Sequence, residues 1–135
     1  AMLTHLPEGF SESFRRLLDW GARQPAEKAE AAYGEIRAVE ADAQDWFAHC
    51  DLVVAPTALE PAFAFDQDAP PGQADLTAFA DMAGCAATAV PMGRSRSGRP
   101  VSIQFMARQG GDQLAIKAAA QFEILTGGPF IPTGY

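Results

Sequence analysis

The chain has 135 residues, 48% of them apolar and 20% charged, enough for one compact domain with a real core and too apolar for a wholly disordered chain. A net charge of -7 sets it against phosphate backbones and anionic bilayers, so neither nucleic acid nor a membrane surface is an expected partner. There is no run of roughly 18 apolar residues for a transmembrane helix, and the start, Ala1-Met2-Leu3-Thr4-His5, has no basic and apolar leader pattern.

Phe10, Phe14, Leu17, Leu18 and Gly21 recur at helical spacing behind Ser11, Glu12 and Ser13, which predicts a helix from about Ser11 to Arg23. Pro25 stands where the first residue of a second helix belongs, with Glu27 in its first turn. Ala29, Tyr33, Ile36, Val39, Ala43 and Phe47 keep one apolar face through about Phe47, while Glu27, Glu35, Asp42 and Asp45 occupy the other. Leu52-Val53-Val54-Ala55, closed by Pro56, is the unbroken apolar run of a strand buried on both faces, as in a helix-covered parallel sheet. Residues 56–74, with Pro56, Pro61, Pro70, Pro71 and Gly72, predict a long loop.

Asp75 is placed to cap a helix running to about Ala83, and Gly84 suits its end. Ala87 to Pro91 and Val101 to Ala107 read as strands on either side of a turn from Gly93 to Arg99, a hairpin with a long loop. After Gly110 and Gly111, Asp112 is expected to cap a last helix whose face is Leu114, Ala115, Ala118, Ala119, Phe122 and Leu125. Gly127, Gly128 and Pro129 stop it, and the tail to Tyr135 reads as irregular. The alternation of helix and strand predicts a single layered α/β domain over residues 1–135.

The residues offer little chemistry of their own. His5, His49, Cys50 and Cys85 lack the paired spacing of a tetrahedral site, so no metal is expected, and no cofactor motif occurs. Two cysteines make no disulfide framework, and a reducing cytoplasm follows as the expected compartment. His49-Cys50-Asp51 has the residue types of a nucleophile and its base, but neighbours at one helix end do not face each other. They read instead as a helix C-terminus, with His49 near the negative end of the dipole and Cys50 as a small core residue. Ser11, Ser13, Ser95, Ser97 and Ser102 sit in no nucleophile elbow. The turn with Arg94, Arg96 and Arg99 has the composition of an anion grip, yet in an acidic chain it reads as a solvated loop. Gly110-Gly111 opens a helix, but a carboxylate at Asp112 already fills the anion position.

The order of motifs points further. Arg37 lies on the long helix, followed by Asp51-Leu-Val-Val-Ala-Pro56-Thr57; then come Thr77 and Asp81, Val90-Pro91-Met92-Gly93, and Gly98, Pro100 and Gln104, with Asp112 and Glu123 on the last helix. In that order and spacing they resemble the C-terminal part of the amidase signature family, which hydrolyses amides with a Ser–Ser–Lys triad. Asp81 replaces the family's usual Asn, Ala86 a Pro, Arg99 a Leu and Ser102 a Gly. The resemblance implies part of a mixed sheet, its covering helices and one wall of a substrate channel, bordered at the helix start by Ala74, Thr77 and Ala78. Packing of these small residues against the sheet is the alternative role.

The same resemblance places the catalytic Lys and both Ser N-terminal to everything in this sequence, so no catalytic residue is assigned here. The chain is then expected to be inactive alone, a small amide being a substrate only of the complete enzyme. Its expected partners are an N-terminal amidase portion or further copies of itself. Two other readings stay open: a stand-alone binding or assembly module without catalysis, and a small enzyme using His49 or Cys50. Ala1 ahead of Met2 looks like a cloning remnant, and Met2 is either a native start or the edge of a designed piece.

Overall fold

The computed structural model describes residues 10–127. His5, the stop at Gly128-Pro129 and the tail to Tyr135 lie outside the described residues. The elements run α1 (Glu12–Ala22), α2 (Ala26–His49), β1 (Val53–Pro56), α3 (Asp75–Met82), β2 (Ala86–Arg94), β3 (Pro100–Ala107) and α4 (Asp112–Leu125). The chain forms two compact units, residues 1–35 and 36–135.

The first unit holds α1 and the start of α2. Ser11 caps α1, its hydroxyl oxygen accepting the Phe14 N–H at 3.3 Å, and Glu12 pairs with Arg16 one turn on. No residue of α1 is buried: among the described residues its apolar stripe shows Phe14 at 40%, Leu17 at 59% and Trp20 at 63% exposure. The second helix begins at Ala26, with Pro25 just outside and its carbonyl accepting the Lys28 and Ala29 N–H groups. The apolar face read along α2 is buried only in its second half. Ala43 is buried and Ile36, Val39 and Phe47 are half-buried, whereas Ala29, Ala32 and Tyr33 are exposed.

The second unit is built on a three-stranded sheet in the order β1-β3-β2. Both pairings are antiparallel, with Val54 opposite Phe105 and Thr88 opposite Phe105. The β1 run is therefore not the doubly buried parallel strand that its composition predicts. It is an edge strand with alternating burial, and Val54 is 50% exposed. An unbroken apolar run cannot by itself tell a strand covered twice from one whose second cover is simply missing. The core lies on β3, where Gln104, Phe105, Met106 and Ala107 are all buried. Successive residues there face opposite layers. Phe105 meets Phe122 of α4, ring centroids 5.5 Å apart, on one face, while the Gln104 side chain reaches α3 on the other. Trp46 of α2 stacks on Phe79 of α3 at 4.9 Å. A layered α/β arrangement with covering helices is what the sequence predicts, built on an antiparallel piece of sheet.

Two caps differ from expectation. Asp75 and Asp112 are each the first helical residue rather than the cap; Ala74 and Gly111 hold the cap positions, and neither makes a side-chain cap bond. The carboxylates still sit in the first turn, where they complement the positive end of the dipole. The end of α3 follows the sequence pattern. Gly84 adopts φ +62°, Cys85 N–H reaches the Ala80 carbonyl at 2.9 Å and Gly84 N–H the Asp81 carbonyl at 3.3 Å, the paired bonds of a Schellman motif. The hairpin strands run longer than their composition predicts: Gly93 and Arg94 belong to β2, with a bulge at Met92 between Pro91 and Gly93.

Gly111 is held for space. A Cβ there would lie 2.7 Å from Ala107 Cβ and 2.8 Å from the Arg108 carbonyl, whereas at Gly34 nothing lies within 4 Å. Gly111→Ala should therefore lower the unfolding free energy by about 1–3 kcal/mol. Gly34→Ala, in the middle of a helix, should raise it by about 0.5–1 kcal/mol. Urea titration of both variants checks the pair; equal effects of the same sign would contradict the packing described at the β3–α4 turn.

Candidate functional site

One buried amide organises the region where the sequence pattern places substrate contacts. Gln104 is 2% exposed, and its Nε2 donates to the Pro56 carbonyl at 3.1 Å and to the Leu76 carbonyl at 2.8 Å. Pro56 closes β1 where the long segment begins, and Leu76 lies in the first turn of α3, at that segment's far end. A single side chain on the central strand thus pins both ends of the intervening segment. In the sequence Gln104 is one letter of a motif and carries no role of its own. A polar residue in a strand that otherwise reads as core is the available signal, since a buried amide must find partners.

Beside it, Thr57 ties to β3. Its N–H donates to the Ser102 carbonyl at 3.3 Å, and the Thr57 and Ser102 hydroxyls meet. Arg99 reaches across, its Nη1 donating to the Ala62 carbonyl at 3.1 Å, and Arg94 Nη1 donates to the Gly98 carbonyl at 2.7 Å. Two of the three arginines in this turn therefore hold backbone, while all three stay exposed, so the turn is solvent-facing as its composition predicts and is tied internally as well. Ser95 is tied in as well, to the Ser97 hydroxyl at 2.9 Å and the Arg99 N–H at 3.2 Å. Between the 56–62 segment and the start of β3 lies a hollow of about 380 Å³, walled by Leu59, Pro61, Met92, Pro100 and Val101. Gln73 forms another part of the wall, and its Oε1 is buried with no hydrogen-bond partner.

The residues assigned to a channel border sit next to this hollow rather than in it. Ala74 is the exposed cap of α3; Thr77 is exposed, its hydroxyl donating to the Ala74 carbonyl at 3.0 Å; Ala78 is half-buried. Gln73, the neighbour of Ala74, is the link between the two.

The reactive-looking residues are not assembled. His49 Nδ1 lies 2.8 Å from the Asp45 carbonyl and the Cys50 thiol 3.3 Å from the Trp46 carbonyl, each bonding back along its own helix. Cys50 is exposed, which corrects its reading as a core residue: it lies just past the end of α2 and faces solvent. Ser11, Ser95, Ser97 and Ser102 bond to backbone or to other hydroxyls, none of them to Lys28 or Lys117. Among the described residues no group of three His, Cys, Asp or Glu is arranged to hold a metal, and no helix is long and apolar enough to cross a membrane. Cys85 is half-buried, and desolvation raises its thiol pKa above the usual value. The fold thereby favours the neutral thiol, a contribution present at lower pH and lost as pH rises through the raised pKa.

Comparison with known proteins places this geometry. A family model described as Amidase matches residues 2–116. A glutamyl-tRNA(Gln) amidotransferase subunit of Neisseria meningitidis (serogroup A, serotype 4A) is 34% identical over 92 residues, covering 65% of this chain and 19% of the relative. The protein of the same name from Psychrobacter cryohalolentis is 28% identical over 125 residues, 86% of this chain and 25% of its own length. This chain thus spans about a fifth to a quarter of the curated relatives it matches. Among solved structures, an amidase crystal structure aligns with a TM-score of 0.76 at 21% identity, covering 90% of this chain and 30% of that one. The corresponding glutamyl-tRNA(Gln) amidotransferase subunit of Thermotoga maritima superposes with a TM-score of 0.61 at 26% identity, over 92% of this chain and 29% of that one.

Gln104→Leu should cost about 1–3 kcal/mol of stability by leaving two carbonyls short of a donor, read by urea titration. A change under about 0.5 kcal/mol would show the bridge to be dispensable. In the intact protein at pH 8, iodoacetamide should alkylate Cys50 well before Cys85, as peptide mass spectrometry reports; the reverse order would contradict the burial described.

Proposed function

This chain belongs to the amidase family, and from that premise we propose that it is a C-terminal portion of an amidase-like amide hydrolase, supplying sheet, covering helices and one wall of the substrate channel. It does not catalyse alone. The observation that carries this reading is the family match over residues 2–116 in a chain spanning only 19–25% of its relatives. The site agrees with it. Gln104, Thr57, Ser102 and Arg99 are committed to holding segments in place, and none of the serines with a described bond contacts a lysine. In this reading Ala74, Thr77 and Ala78 border the channel at the start of α3, and a small amide is the substrate of the assembled enzyme.

The partner that completes the site is an N-terminal amidase portion carrying the Ser–Ser–Lys triad. A second reading, a non-catalytic module that assembles with copies of itself, is favoured by the apolar surface left bare: Leu17, Trp20, Ile116, Ile124 and Leu125 are all more than half exposed. Edge strands at β1 and β2 add to the case. Either way the isolated chain should form a dimer or larger species, and a clean monomer by light scattering at working concentration would count against both.

Purified protein incubated with small acyl amides should release no ammonia above a buffer blank; reproducible release that scales with protein would overturn the non-catalytic assignment. The upstream gene sequence separates the two readings. A same-strand frame with a Gly-Gly-Ser-Ser signature supports the amidase portion, and its absence supports the assembly module.

A further inference from the structure

We propose that the hollow between the 56–62 segment and the start of β3 is a binding site for a small organic ammonium ion with an apolar body. Its volume, about 380 Å³, falls within the usual range for small-molecule sites. Leu59, Pro61, Met92, Pro100 and Val101 line it with apolar surface. Met92 is brought there by the bulge in β2, a device that re-aims a side chain out of the regular pleat.

Several of the polar groups around the hollow are acceptors. Glu60 contributes a carboxylate. Gln73 contributes a side-chain oxygen that is buried and lacks any donor. The Thr57 and Ser102 hydroxyls bond to each other and keep oxygen lone pairs able to accept from a ligand. The nearby cationic side chains are engaged elsewhere, Arg99 with the Ala62 carbonyl and Arg94 with the Gly98 carbonyl. An anion would meet the Glu60 carboxylate. A protonated amine brings the charge that Glu60 complements, and a rotation of the Gln73 amide gives its oxygen the missing N–H partner.

The biological sense of the site rests on the amide-hydrolase reading. Hydrolysis breaks the amide C–N bond, places the oxygen of water on the acyl carbon and leaves a carboxylate and an amine. That amine takes up a proton at neutral pH. A substituted amide therefore yields the kind of cation this hollow fits, next to the channel border at Ala74. The hollow is assigned to the amine half of the substrate and to the ammonium product.

The test uses the whole chain and benzylammonium, with benzoate as the opposite-charge control, followed by amide-resolved NMR. Benzylammonium should give saturable shifts at Thr57, Val101, Ser102 and the Gln73 side-chain amide, and benzoate none. Glu60→Gln, on an exposed rim, should weaken binding about tenfold, and Met92→Trp should abolish it by filling the hollow. Absence of saturable shifts, equal binding of benzoate, shifts mapping elsewhere, or unchanged affinity in both variants would overturn the assignment. Ammonia release by the chain alone would instead sink the non-catalytic reading and leave the measured affinity standing.

Discussion

The structure around the candidate site depends on a hydrogen-bonding obligation. An amide nitrogen buried on the central strand has to find acceptors, and Gln104 finds them in two segments far apart in sequence, at Pro56 and Leu76. That fixes where the strand β1 ends relative to where α3 begins. The segment between them, rich in proline and largely exposed, then has closed ends without needing a core of its own. Its first part is further tied to β3 through Thr57 and Ser102 and to the preceding turn through Arg99, so polar bonds help define the surface there.

Much of the fold is legible in the sequence because its signals are local. The helical spacing of Phe10, Phe14, Leu17 and Leu18, the Gly84 stop and the alternation of Val101, Ile103 and Phe105 each act within one element. What the sequence does not carry is non-local. Leu52 to Ala55 reads as a strand covered on both faces, but the identity of its neighbour is not written in the run, and here that neighbour is the antiparallel β3. Asp75 and Asp112 are one position inside their helices, a shift no composition rule resolves. Cys50 looks like core and is not, because the apolar face of α2 and the burial of that face are separate facts.

The candidate site is legible in a different way. Local chemistry in the sequence offers no nucleophile with a base, and in the folded chain His49 and Cys50 each approach a backbone carbonyl four residues back. The ordered motifs identify the family, and the departures from its pattern have visible consequences: Ser102, where a glycine is usual, supplies the hydroxyl that meets Thr57, and Arg99, in place of leucine, supplies the tie to Ala62. The roles of Gln104 and of the bulge at Met92 cannot be read from the sequence, because each is defined by a partner reached only through the tertiary fold.

On the proposed function these residues act as wall and floor of a channel, and the reactive hydroxyl and amine are supplied by an N-terminal amidase portion. The most direct measurement is intact and peptide mass spectrometry after treatment with a serine-directed fluorophosphonate. None of Ser11, Ser13, Ser95, Ser97 or Ser102 should carry the adduct above the level seen in urea-unfolded protein. Stoichiometric labelling of any one of them in the folded chain would show a nucleophile of its own and contradict the account.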